Sequence, residues 1–75
     1  MSHIRDGEAR RILKAEMARR ELTYDGLVTA LADIGVEETN NSIRNKMSRG
    51  SFTADFFLQC LLAMKVTVLR VAEPN

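Results

Sequence analysis

Apolar positions recur along most of this chain at three- and four-residue spacing, the signature of helices with one buried face. Residues 1–7 (MSHIRDG) show no such period, and Gly7 breaks the run, so they read as a loose arm. From Glu8 to about Glu21 there is no Gly or Pro, and strong helix formers dominate. Ala9, Ile12, Leu13, Glu16 and Met17 fall at offsets 0, 3, 4, 7 and 8, an apolar stripe that Glu16 interrupts. Arg10, Lys14 and Arg19 or Arg20 occupy the opposite face. Thr23 is a good N-cap for a second helix, with Asp25 in the first turn where the helix dipole favours an acid. Tyr24, Leu27, Val28 and Leu31 form its apolar face, Ile34 follows, and Gly35 supplies the stop.

Val36 to Thr39 make an acidic turn, and Thr39 or Asn40 caps a third helix that runs to about Arg49 and ends at Gly50. Its only large apolar residues are Ile43 and Met47, so one narrow seam docks it and most of its surface faces solvent. Thr53 starts a fourth helix with Asp55 near its beginning. Within residues 56–64 (FFLQCLLAM) only Gln59 is polar. A helix apolar nearly all round needs cover on more than one side, so part of it is expected to face a second copy of the chain. Leu27, Leu31, Ile43, Met47, Phe57 and Leu61 are the expected core. The tail, Val66-Thr67-Val68-Leu69-Arg70-Val71, is β-branched and partly alternating, and stops before Pro74. It is either an extended arm packed on the helices or a strand pairing with the same tail of a symmetry mate, since a lone strand leaves its backbone unpaired.

Composition narrows the function classes. Seventy-five residues make one small domain with a thin core. Apolar residues are 45% and charged residues 28%, a folding composition. Cys60 is the single cysteine, so no disulfide can form within the chain, and it reads as a small buried hydrophobe. His3 is the single histidine, so neither a metal site nor a cofactor is expected. No apolar run is long enough to span a membrane, and no charged start leads into an apolar stretch. The expected setting is a reducing cytoplasm. An enzyme is not expected, because no acid, base and nucleophile cluster and the chain offers little wall for a pocket.

The net charge is only +1, but its distribution is uneven. Residues 22–38 hold four acids (Asp25, Asp33, Glu37, Glu38) and no base, whereas residues 39–51 hold Arg44, Lys46 and Arg49 and no acid. A short acid-free basic segment can present a local positive face, or simply be a solvated helix surface.

The order of elements resembles the lambda-repressor-like helix-turn-helix domain. LKAEMARRELTYDGLVTALADIG looks like its first two helices, and IRNKMSRGSFTADFFLQCLLAMKV like the end of its recognition helix, the next loop and helix four. The span from Leu13 to about Val66 also resembles a group of short bacterial proteins without assigned function, placed near these repressors. Gly35 and Val36 fit the usual turn, but Ile43 and Met47 fall two to three residues late, so the turn carries extra residues within Val36–Thr39. The resemblance implies an all-α bundle of four to five helices over residues 8–65, followed by the extended or β tail of residues 66–75.

The same resemblance implies a transcriptional regulator whose third helix, residues 39–49, enters the major groove of double-stranded DNA. Thr39, Asn40, Asn41, Arg44 and Asn45 are then the candidates to meet base edges. Asn can pair with adenine and Arg with guanine, and Arg44 and Asn41 share one face. Ser48 and Arg49, near the helix end, and Lys46 would hold phosphates. Asn40 and Asn41 can alternatively do no more than cap and begin the helix. A homodimer or higher symmetric oligomer is expected through Phe56, Leu58, Leu62, Val66, Val68 and Val71. Against DNA binding stand an isoelectric point of only about 7.9 and Glu37 and Glu38 just before the third helix. A second class therefore stays open: a homo-oligomeric, antitoxin-like or accessory module that binds a protein partner and uses the fold without the groove.

Overall fold

Three threonines open three of the four helices. The Gly26 N–H donates to Thr23 Oγ1 (3.1 Å), the Ser42 N–H to Thr39 Oγ1 (3.0 Å) and the Phe56 N–H to Thr53 Oγ1 (3.0 Å). Each threonine has an extended backbone and satisfies one of the N–H groups that a helix start leaves without an internal partner. The computed structural model describes residues 7–69, and within them the helices are α1 (Glu8–Arg19), α2 (Tyr24–Asp33), α3 (Asn40–Arg49) and α4 (Ala54–Ala63). Among the described residues the fold is all-helical, with no strand.

Three of the four helix ends follow one recipe. After α2, Gly35 takes a left-handed conformation (φ 82°) and donates to the Ala32 carbonyl, while the Val36 N–H reaches back to Leu31. This pair of hydrogen bonds is the Schellman cap, and the apolar Val36 comes to lie against the core. The same pair of bonds ends α1 through Glu21 and Leu22, and α4 through Lys65 and Val66. There the left-handed position falls to Glu21 (φ 54°) and Lys65 (φ 59°), neither of them glycine.

Leu13, Leu27, Leu31, Ile43 and Cys60 are completely buried, joined by Met17, Met47, Phe56, Leu61 and Met64. Every helix thus sends residues into one core. Helix α2 packs on both α3 and α4, and α1 packs on α4. Two arginines, Arg10 of α1 and Arg20 at its C-cap, fasten α1 to the far ends of α3 and α4. Arg20 Nε donates to the Met64 carbonyl (2.8 Å) and Arg10 Nη1 to the Met47 carbonyl (3.4 Å). Cations suit these places, because the last carbonyls of a helix carry its negative dipole end. Glu16, which breaks the apolar stripe of α1, is buried and held by Arg20 (2.5 Å) and Arg19 (3.4 Å).

Two expectations about α4 are corrected. In α4 Phe56, expected at an intersubunit contact, points inward instead and is 3% exposed in the single chain. Phe57 is only half-buried and packs at the core's edge. The inward face runs Phe56, Cys60, Leu61 and Met64, because the cap at Thr53 and the packing of α1 and α2 fix the rotation of a helix whose apolar pattern does not. Residues 66–69 form no strand within the single chain. Val66 and Leu69 lie against the core, as an extended arm would, while Val68 is 83% exposed. Val71 and most of the N-terminal arm lie outside the described residues.

Candidate nucleic-acid interface

Helix α3 divides sharply into two faces. Ile43 and Met47 are 0% and 2% exposed and lock it into the core. Asn41, Arg44, Asn45, Ser48 and Arg49 are all exposed and fall at offsets 0, 3, 4, 7 and 8, one continuous stripe along the helix. The stripe holds two cations, three neutral hydrogen-bonding side chains and no acid. Asn41, Asn45, Ser48 and Arg49 make no side-chain hydrogen bond or ion pair among the described residues, so their polar atoms face solvent.

The other three residues expected at the interface are engaged within the chain. Thr39 is the N-cap, its hydroxyl oxygen taken by the Ser42 N–H. Asn40 Nδ2 donates to Asp25 Oδ1 (2.8 Å), and its Oδ1 accepts from Arg44 Nη2 (3.0 Å). Lys46 turns away from the stripe. Its Nζ donates to Glu38 Oε2 (2.9 Å) and stands 4.4 Å from the centre of the Phe56 ring, a cation–π placement. Lys46 is therefore half-buried, and the expectation that it holds a phosphate is replaced by an internal role, anchoring the acidic turn to α3 and α4.

Glu38 completes that anchor. It accepts from Ser42 Oγ (2.7 Å) as well as from Lys46. Burial raises the pKa of its carboxyl, but the hydrogen bonds from Lys46 and Ser42 and the lysine's charge prevail, and the net shift is downward. The charged form of Glu38 is thus favoured, with Lys46 and Ser42 answering it from within the chain. The exchange among Glu38, Ser42 and Lys46 was not legible in the sequence, where Glu38 and Lys46 stand eight residues apart across a turn.

Cys60 lies within the electrostatic reach of Glu38 and Lys46 but makes no side-chain hydrogen bond with them. Burial, foremost, and then the charge of Glu38 push its thiol up to about 12, against an opposing pull from Lys46. A thiol held protonated is a poor nucleophile and a poor metal ligand. Among the described residues no three His, Cys, Asp or Glu side chains gather to hold a metal, and no helix is long and apolar enough to cross a membrane. On α4, Leu58 and Leu62 are 59% and 65% exposed, one turn apart on the face away from Cys60.

These features define a small all-helical domain that presents one acid-free polar helix face. The chain belongs to the family described as a domain of unknown function, DUF6471, which matches residues 6–69. No curated protein and no solved structure matches it.

Proposed function

We propose that this protein is a small sequence-specific DNA-binding protein, built as a lambda-repressor-like helix-turn-helix domain, in which α3 is the recognition helix. The observation that carries this reading is the exposed stripe Asn41, Arg44, Asn45, Ser48 and Arg49 on a helix whose other side is fully locked. An α-helix with its side chains is about 10–12 Å across and the major groove is roughly 12 Å wide, so a helix such as α3 can lie in it. Asn41 and Arg44 carry base-reading chemistry, with Asn45 beside them, while Ser48 and Arg49 meet phosphates toward the helix end. With Lys46 withdrawn, the contact face holds two cations per protomer, Arg44 and Arg49. Affinity then rests on two protomers acting together, and a dimer would set its two recognition helices about 34 Å apart on a pseudo-palindrome. Selection of bound sites from random duplex DNA tests the reading: recovery of a recurrent sequence whose affinity falls with salt supports it.

A second reading is favoured by the exposed Leu58 and Leu62. In it the domain is a self-associating module, antitoxin-like or accessory to a regulator, that binds protein and not DNA. A folded oligomer that retards no duplex at low salt selects this reading over the first.

A further inference from the structure

At the mouth of the proposed interface, two hydrogen bonds run in series across the α2–α3 junction. Asp25, in the first turn of α2, accepts from the Asn40 amide nitrogen at 2.8 Å. The Asn40 amide oxygen then accepts from Arg44 Nη2 at 3.0 Å, one turn further along α3. An amide has one donating and one accepting end, so occupying one end decides which way the other points. By accepting from the Asn40 nitrogen, the Asp25 oxygen turns the Asn40 oxygen toward the guanidinium.

We infer that Asp25 and Asn40 are positioning residues that aim Arg44, so that the sequence preference of this domain is set partly by a carboxylate on the neighbouring helix. The inference rests on the DNA-binding reading above. Arginine is long and rotamer-rich, and holding it before binding removes part of the ordering cost of a bidentate contact to guanine. The same carboxylate repels the phosphate backbone, so Asp25 lowers affinity for all DNA while sharpening the choice of sequence. A purely repulsive acid would do only the first.

Two substitutions at one exposed position separate these effects. Asp25→Asn removes the charge but leaves an acceptor oxygen, whereas Asp25→Ala removes both. The probes are a duplex selected from random sequence by the unmodified protein and a scrambled duplex of the same composition. Both variants should bind the scrambled duplex more tightly. Only Asp25→Ala should lose discrimination, by about five- to tenfold, and that loss should vanish when Arg44 is already alanine. In the free protein, NMR relaxation of the Arg44 Nε–Hε group should show greater mobility in Asp25→Ala than in the parent. If the two Asp25 variants discriminate alike and Arg44 is equally mobile in both, the positioning role is overturned while DNA binding stands. If the parent protein binds no duplex, the DNA reading is overturned and this role with it.

Discussion

Phe56 shows how much one residue's direction decides. It fills the core from α4, meets the edge of Phe52 with ring centres 5.3 Å apart, and gives the Lys46 ammonium a ring to sit over. Phe57, next to it, stacks loosely on Phe52 at 6.4 Å and stays half-exposed. Phe56→Ala should therefore cost about 3–5 kcal/mol, enough to unfold a domain this small, whereas Phe57→Ala should cost about 1–2 kcal/mol. Urea melts of the two variants check the ordering, and equal losses would mean that α4 is rotated from the position described. The sequence points to the wrong phenylalanine because FFLQCLLAM is apolar on almost every side, and a pattern without a polar face cannot report which side is in. Cys60 is legible as a buried hydrophobe for a different reason, its small size amid large apolar neighbours.

At the scale of elements, helix starts were readable and some stops were not. Thr23, Thr39 and Thr53 announce themselves as caps, and Gly35 and Gly50 mark ends where the backbone turns left-handed. The ends of α1 and α4 use Glu21 and Lys65 in the same conformation, and nothing in those side chains signals it. A side chain in this region costs about 1–2 kcal/mol, partly offset in glycine by its freer unfolded chain. Lys65→Gly should accordingly raise stability by about 0.5–1 kcal/mol in thermal melts, and Lys65→Ala, which keeps the Cβ, should not. The turn before α3 is tied by Glu38, whose depressed carboxyl pKa sets the sign of a pH effect. Its contribution is fully present above the ordinary glutamate range and is lost as pH falls through its lowered value. Glu38→Gln should therefore lose less stability than the parent between pH 5 and pH 3, on the order of the ordinary carboxylate range. A parallel decline in Tm for both proteins would remove Glu38 from the account.

For the whole molecule, the four-helix arrangement was readable from the periods and caps, but the division of basic residues into exposed and engaged was not. Arg44, Lys46 and Arg49 look equivalent in sequence, and only packing shows that Lys46 serves Glu38 and Phe56. The same holds on α4, where Leu58 and Leu62 stay exposed after α1 and α2 have covered the rest. Sedimentation at micromolar concentration should find the parent chain heavier than 8.4 kDa and Leu62→Glu, which puts a charge on that exposed face, at the monomer mass. A folded parent that stays at 8.4 kDa would exclude self-association through α4.

The central claim is that the exposed face of α3 reads duplex DNA, with Arg44 specifying sequence and Arg49 holding phosphate. Affinities of Arg44→Ala and Arg49→Ala for a selected and a scrambled duplex, across a salt series, test it most directly. Arg44→Ala should lose about 1–3 kcal/mol on the selected duplex and little on the scrambled one. Arg49→Ala should weaken both about equally and reduce the salt slope by about one unit. Binding by both variants that matches the parent on both duplexes would contradict the claim.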